Sequence, residues 1–226
     1  MHGVIGDGGT MSRLSSRVLL HCFHAADRLR VARLRQRLPG LDIHPGASAR
    51  IGHARIEMAP GSRLTISAGV VTDRLPGALH IDLGPGAEMV IGEGTWLRTA
   101  IAPVHLVAFE GARLEIGPKA FLNGCHLSTK EHLTIGRGAS VGPGSRVFDA
   151  DQHDLDDRRL EQVEPVSIGD FTWVASDVTI LRGVQIGDHC IVGARSLVLT
   201  DLPDHTLAFG QPARPRGRVG DRSQAR

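Results

Sequence analysis

Aliphatic residues recur at every sixth position in the C-terminal half of the chain. The repeat runs from Ser167 to Thr200 without a slip, and its aliphatic positions are Ile168, Val174, Ile180, Ile186, Val192 and Val198. A helix repeats apolar residues every three or four positions and a strand every second position, so neither element alone explains a spacing of six. Three six-residue units can close a triangular coil, and stacked coils form a parallel β-helix. The spacing therefore predicts a solenoid of short parallel strands.

A second rhythm lies inside the first, because small or medium residues follow each aliphatic position by four. In the same stretch these are Thr172, Val178, Val184, Cys190 and Ser196. Upstream the same pattern gives Ile135, Val141 and Val147, then Ile116, Ala120 and Leu122, then Ile91 and Leu97 with Thr95 and Ile101 in the small positions. An ordinary β-sandwich is the alternative, but a strict spacing of six is not a sandwich signal.

The N-terminal segment from Ser12 to Leu38 has helical spacing and many arginines. Its apolar residues share one face of an amphipathic helix, namely Leu14, Val18, Cys22, Ala25, Leu29 and Ala32. Pro39 and Gly40 end the pattern. A helix of this kind can lie on a membrane surface. We prefer a cap over the open end of the solenoid, or a strut against a neighbouring subunit, because solenoid ends must be covered.

These patterns divide the chain into three parts. We predict a flexible leader and helix over 1–40, a β-helix domain over 41–212 with an active-site loop at 149–166, and a basic tail over 213–226. A solenoid adds its core coil by coil, so one continuous repeat domain is the simplest interpretation.

The composition excludes several classes of function. With 26 basic and 24 acidic residues the net charge is +2, which gives no reason to expect a nucleic-acid or bulk acidic partner. The three cysteines are an odd number without a CxxC pair, which indicates a reducing compartment. No apolar run is long enough to span a membrane, and the N-terminal residues do not read as a signal peptide. We therefore expect a cytoplasmic protein.

One polar loop interrupts the repeat. After Val147 comes FDADQHDLDDRRLEQVEP, and the rhythm resumes at Ile168. Long polar loops that leave a regular scaffold often carry function. This loop places His153 among the carboxylates Asp149, Asp151, Asp154, Asp156 and Asp157. A histidine near carboxylates can be held in one tautomer and act as a general base, although a solvated acidic loop with an incidental histidine has the same composition.

Four segments together resemble a known family. FLNGC, DADQH, IGDFTWVASDVTILRGVQIGDHCIVGARSLV and DLPDHTLAFGQPAR are similar to the hexapeptide-repeat acyltransferases of the galactoside and maltose O-acetyltransferase type, over roughly residues 85–216. The resemblance implies an all-β, left-handed parallel β-helix. It implies an enzyme that moves an acetyl or other acyl group from acyl-CoA to a hydroxyl of a sugar or small metabolite. His153 would be the catalytic base, and Asn123 and Asp151 would bind the acceptor.

The resemblance also supplies a cosubstrate and an assembly. It implies that acetyl-CoA, or another acyl-CoA, lies along the last coils at Ser176, Ala194 and Thr200, with Arg214 on a CoA phosphate. Thr200 stands where the family often has lysine. The family implies no metal, and a homotrimer with active sites in the clefts between subunits. We expect Cys125 to be a packing residue, and Arg216 and Arg218 to belong to a solvated tail.

Three other functions share parts of this pattern. An N-acyltransferase of an amino sugar needs the same fold and cosubstrate. A γ-class carbonic anhydrase needs three histidines on zinc, for which His105, His126, His132 and His153 are available. That family's close histidine pair has four intervening residues, whereas His126 and His132 have five between them. A non-catalytic β-helix scaffold is the third alternative, and acyl-CoA binding would distinguish it.

Overall fold

A computed structural model describes residues 9–225, with side chains described from Cys22 onward. A helix, α1, spans Gly9–Arg37, and a short 3₁₀ helix spans Ala49–His53. Short strands follow along the remaining chain. They are β1 (Leu41–Ile43), β2 (Arg55–Met58), β3 (Arg63–Ile66), β4 (Val71–Thr72), β5 (Leu79–Leu83), β6 (Glu88–Ile91), β7 (Trp96–Arg98), β8 (Val104–Ala108), β9 (Arg113–Ile116), β10 (Phe121–Asn123), β11 (His126–Thr129), β12 (His132–Ile135), β13 (Ser140–Val141), β14 (Arg146–Phe148), β15 (Val166–Ile168), β16 (Trp173–Val174), β17 (Thr179–Ile180), β18 (Gln185–Ile186), β19 (Ile191–Val192), β20 (Leu197–Val198), β21 (Thr206–Gly210) and β22 (Ala213–Arg218).

The strands form three sheets, which are the three walls of a β-helix. Sheet 1 has the order β1-β3-β6-β9-β12-β15-β18, sheet 2 the order β22-β21-β19-β16-β13-β10-β7-β4, and sheet 3 the order β2-β5-β8-β11-β14-β17-β20. All neighbours are parallel except the final β21–β22 hairpin. In each regular coil the chain passes from sheet 1 to sheet 2 at the first edge, to sheet 3 at the second edge, and back to sheet 1 at the third edge.

The inward positions are those that the spacing of six predicts. Ile168, Val174, Ile180, Ile186, Val192 and Val198 are each at most 2% exposed. The small positions are buried too, and several of them carry hydroxyls that bind the backbone of the next coil. Thr172 donates to the Gly187 carbonyl at 2.7 Å, and Ser145 donates to that of Ala175 at 2.7 Å. A small hydroxyl residue thus satisfies a corner carbonyl that would otherwise lack a partner.

One inward prediction is wrong. Ile101 was expected in a small buried position, but it is 59% exposed. The chain between β7 and β8 bulges outward, and Thr99 takes the buried position instead. The carboxylate of Asp73 accepts hydrogen bonds from the backbone N–H groups of Thr99 and Ala100, at 2.7 and 2.9 Å, and so fixes the bulge.

The helix α1 caps the first coil, but not through the face that the sequence suggested. Its buried side carries Asp27 and Val31, and Leu34 packs against the core, as does Leu38 just after the helix. Asp27 is 1% exposed, and its carboxylate pairs with Arg74 at 2.6 Å and with His53 at 2.8 Å. Buried charges are stable only when paired, so this cluster fixes the cap on the solenoid. Leu14 and Val18 lie where side chains are not described.

The chain after Pro212 continues the architecture. Residues Ala213–Arg218 form β22 against β21, and the backbone N–H of Val219 then donates to the His205 carbonyl at 2.7 Å. Farther on, the backbone N–H of Arg222 donates to His189 Nδ1 at 3.0 Å. Its guanidinium lies over the Trp173 ring, 5.6 Å from the centroid. Most of the basic tail therefore lies against the β-helix. In the described part of the chain, no helix has the length and apolar character needed to cross a membrane.

Replacing Ile180 with Asp should unfold the β-helix. An unpaired carboxylate in an apolar core is costly, so we expect a loss of at least about 4 kcal/mol in the free energy of unfolding. Thr179→Asp is the matched control, because Thr179 is the outward neighbour on the same strand. Chemical denaturation of both variants would measure the difference. A folded, soluble Ile180→Asp protein of normal stability would refute the proposed register.

Candidate active site

The polar loop leaves the β-helix at the third edge, between Phe148 and Val166. Asp149 anchors its first residues and is fully buried. Its carboxylate accepts from Thr129 Oγ1 at 2.5 Å and from the backbone N–H groups of Lys130, Glu131 and His132 at 2.7 to 3.0 Å. One carboxylate thus binds three backbone N–H groups in the turn of the preceding coil, and these hydrogen bonds make the base of the loop rigid.

Arg182, on the third edge of the next coil, holds the other side of the loop. Its guanidinium donates to Asp151 Oδ1 at 2.7 Å and also contacts Glu164. The hydrogen bond from Arg182 lowers the pKa of the Asp151 carboxyl below its usual value. Lys130 makes a similar bridge to Glu161 at 2.7 Å. Asp151 is therefore already paired with Arg182, and its predicted contact with the acceptor stays a prediction.

His153 lies at the exposed part of this anchored loop, two residues beyond Asp151. Among the described residues none forms a hydrogen bond with its ring. Catalytic hydrogen bonds are often incomplete before substrate binds, so an open imidazole is compatible with a general base. The geometry places His153 on the third edge, and no carboxylate of the described residues orients its ring.

Asn123 lies at the second edge, at the end of β10. It is only 7% exposed, and its Oδ1 atom is buried without a hydrogen-bond partner. Leaving a buried polar atom unpaired costs on the order of 1–3 kcal/mol, so such an atom in a native site indicates a missing partner. The contact of Asn123 with an acceptor stays a prediction.

Three residues that sequence reasoning missed surround Asn123 on the outer face of sheet 2. In the register of β7 and β10, Phe121 pairs with Trp96, and Asn123 pairs with Arg98. The Trp96 and Phe121 rings are 5.1 Å apart, and Arg98 lies 5.8 Å from the Trp96 centroid. Trp96 is 42% exposed. In the sequence, the only sign of this cluster is that Trp96 and Phe121 are both outward aromatic residues one coil apart. That relation can be recognised only when the length of the coil is known.

Ser176 and Ala194 occupy equivalent positions on the second edge. The N–H of Asp177 donates to the Pro143 carbonyl and that of Arg195 to the Ser176 carbonyl, both at 2.9 Å. Asp177 and Arg195 adopt a left-handed conformation, with φ of 57° and 58°. This turn leaves the preceding small residues half-buried or exposed along a straight edge. Asn123, Ser176 and Ala194 therefore lie on one edge.

Thr200 and Arg214 are placed differently. Thr200 follows β20, so it lies on the third edge with the loop of His153, away from Ser176 and Ala194. Arg214 is exposed on β22, near a hairpin turn whose Gln211 side chain donates to the Arg195 carbonyl at 2.7 Å. The structure thus groups Arg214 with the second edge. It does not bring His153 or Thr200 to that edge within one chain.

The remaining titratable candidates have structural explanations. Burial raises the pKa of the Cys125 thiol to about 12, so this thiol stays protonated and is a poor nucleophile. His80, His105 and His126 stack as a column on sheet 3, with centroids 4.6 and 5.6 Å apart. Burial, and then the neighbouring histidine, lower the pKa values of His105 and His126. Stacked rings do not converge on one point, and no metal-binding group of three is found in the described residues.

Comparison with known proteins identifies the repeat. A family model described as bacterial transferase hexapeptide (six repeats) matches residues 165–200. Nodulation protein L of Rhizobium meliloti is 39% identical over 105 residues, which cover 45% of this chain and 57% of that protein. Galactoside O-acetyltransferase of Lactococcus lactis is 32% identical over 92 residues, covering 39% of this chain and 44% of that protein. The chain spans about half the length of the curated relatives it matches.

A solved structure supports the architecture. The polySia-specific acetyltransferase NeuO superposes with a TM-score of 0.56 at 18% identity, over 76% of this chain and 84% of that chain. At this identity the similarity concerns the fold. The predicted left-handed parallel β-helix and the resemblance to hexapeptide-repeat proteins are confirmed.

Replacing Arg182 with Ala should loosen the loop without unfolding the coils. Its guanidinium is the bridge from the third edge to both Asp151 and Glu164, so the loop should open more often. We expect trypsin to cleave after Arg158 or Arg159 several-fold faster, with the thermal midpoint nearly unchanged. Arg137→Ala is the control, because Arg137 is an exposed arginine at a different edge. Equal cleavage rates in both variants would show that Arg182 does not hold the loop.

Proposed function

We propose that this hexapeptide-repeat protein is an acyltransferase that moves an acetyl or other acyl group from acyl-CoA to a hydroxyl of a sugar or small metabolite. The observation that carries the proposal is Asn123, a buried amide with an unpartnered oxygen on the same edge as Ser176 and Ala194. A rotation of the Asn123 side chain would bring this oxygen to the surface, where an acceptor hydroxyl or amide N–H would supply the missing hydrogen bond. The galactoside O-acetyltransferase among its relatives supports the choice of a sugar hydroxyl.

The aromatic face beside Asn123 suits a carbohydrate. Trp96 and Phe121 present apolar ring surface to solvent, onto which the C–H face of a pyranose can pack. Arg98 stands next to this surface and can donate to ring or substituent oxygens. Aromatic packing with a few placed polar groups is the usual composition of a small-molecule site.

The second edge is the proposed path of the acyl-CoA pantetheine arm. The small side chains of Ser176 and Ala194 let an extended ligand approach the backbone of the corners. Arg214 would then hold a CoA phosphate, because a guanidinium matches phosphate oxygens in a bidentate geometry. The name of the galactoside O-acetyltransferase supports acyl transfer, and the placement of the arm rests on the resemblance at Ser176, Ala194 and Arg214.

His153 performs the proton transfers in this mechanism. Its neutral imidazole takes the proton from the acceptor hydroxyl as the oxygen attacks the thioester carbonyl carbon. The tetrahedral oxyanion collapses, the carbon–sulfur bond breaks, and the imidazolium returns its proton to the departing thiolate. The products are an acyl ester and the free thiol of CoA. A positioned base of this kind contributes about 10²–10⁴-fold to the rate.

The site is completed between two copies of the chain. His153 and Thr200 lie on the third edge, whereas Asn123, Ser176 and Ala194 lie on the second. A cyclic trimer can bring the third edge of one copy against the second edge of the next. Each cleft then contains the residues of both edges. We therefore place the catalytic clefts between subunits of a homotrimer, in a cytoplasmic enzyme that uses no metal.

His153→Ala should lower turnover by about 10²–10⁴-fold while acyl-CoA affinity stays nearly constant, because the imidazole acts on the acceptor's proton. His153→Asn should be equally impaired, since an amide cannot take the proton. Thiol release from acetyl-CoA with a panel of sugars, together with calorimetric CoA binding, would measure both effects. His132→Ala is the control, a partly exposed histidine of the neighbouring coil.

Normal turnover of His153→Ala on a hydroxyl acceptor would contradict this mechanism. Turnover on an amino sugar that does not depend on His153 would instead favour N-acyl transfer, because an amine needs less help from a base. Loss of activity on treatment with a chelator would favour the carbonic anhydrase alternative.

Ser176→Trp and Ala194→Trp should each abolish acyl-CoA binding with the fold retained. Both indoles would fill the proposed path along the second edge. Gln185→Trp is the control, since Gln185 is an exposed residue on sheet 1. Isothermal calorimetry with CoA would compare the three variants. Unchanged CoA affinity in both edge variants would exclude this path.

A further inference from the structure

The face of α1 that points away from the β-helix is apolar along its centre. Cys22, Ala25, Leu29 and Ala32 are all exposed, and Leu29 is 52% exposed. Their spacing of three or four places them in one row along the helix, which we name the apolar stripe. The cap therefore packs through Asp27 and leaves uncovered the side that the sequence marks as apolar.

Arginines border the apolar stripe on both sides. At about 100° per residue, Arg28 and Arg35 fall on one border and Arg33 and Arg37 on the other, and all four are exposed. The only acidic residue in α1 is Asp27, which is buried and paired with Arg74 and His53. No carboxylate of the helix balances the exposed guanidinium groups, so this surface is strongly cationic.

A groove continues this surface onto the first coil. It has a volume of about 500 Å³, with Arg28 and Arg35 on its rim and Val31, Ile43 and Ala47 on its floor. Arg35 also donates to the Ile43 carbonyl, which fixes its side chain at the rim. A ligand with a phosphate at the rim and methylene groups on the floor would match both parts of the groove.

We propose that α1 docks this protein on the surface of an anionic phospholipid bilayer. The apolar stripe lies among the lipid headgroups, and the bordering arginines bind lipid phosphates. A second copy of the chain is a poor partner for this face, because contact between two such faces would bring their arginines together. Nucleic acid would satisfy the arginines but would leave Leu29 without an apolar partner. The proposal does not depend on acyl transfer.

Vesicle co-sedimentation of the full chain tests the proposal. We expect binding to phosphatidylcholine vesicles that contain about a third phosphatidylglycerol, and little binding to pure phosphatidylcholine. Arg28→Ser with Arg33→Ser should weaken binding roughly 30-fold, at about fivefold per arginine near an anionic surface. The control is Arg137→Ser with Arg218→Ser, which removes the same charge at other exposed sites.

Leu29→Ser separates a bilayer from other anionic partners. It should weaken vesicle binding at least tenfold, because a leucine side chain contributes about 1.5–3 kcal/mol when it is buried. Leu199→Ser, at another exposed leucine, should have no effect. Equal binding to both kinds of vesicle, or none, would overturn the proposal. So would tighter binding to duplex DNA that ignores Leu29, or a change of oligomeric state in Leu29→Ser.

Discussion

The rest of the structure depends on the register in which successive coils stack. Each coil hydrogen-bonds to its neighbours and places an aliphatic side chain directly over the one below, at a strand spacing of about 4.8 Å. A slip of one residue would turn that side chain to solvent and its polar neighbour into the core. Since the core is one narrow column, every coil must keep the register of the previous one, and positions far apart in sequence become fixed neighbours in space.

This constraint decides which residues can form a site. Asn123 and Ala194 are separated by many residues, yet both lie on the second edge because each closes a coil at the same corner. The third edge carries the one long loop, and there Asp149 and Arg182 replace the missing coil contacts with side-chain hydrogen bonds. The β-helix therefore presents two candidate edges that do not meet within one chain, which is why the proposed chemistry needs a second copy.

Spacing alone predicted the coils, because the period of six follows directly from the geometry of the fold. It predicted Ile180 and Val192 correctly, and it failed at Ile101, where a longer corner makes a bulge held by a distant Asp73. The helix shows a second limit of prediction from periodicity. Periodicity identified an apolar face, but a buried Asp27 with two distant partners decided which face packs. The polar loop and the resemblance together pointed to His153, and the resemblance alone pointed to Asn123. The unpartnered Asn123 oxygen and the adjacent Trp96 required coordinates.

Mixing two inactive variants tests most directly whether the two edges cooperate across subunits. One chain would carry His153→Ala and the other Ser176→Trp, co-expressed so that they assemble together. If His153 of one copy serves the second edge of the next, about one site in four receives both intact parts under random assembly. Our interpretation predicts that acetyl-CoA-dependent activity returns to about a quarter of the wild-type value. Mixed assemblies as inactive as either parent would contradict it.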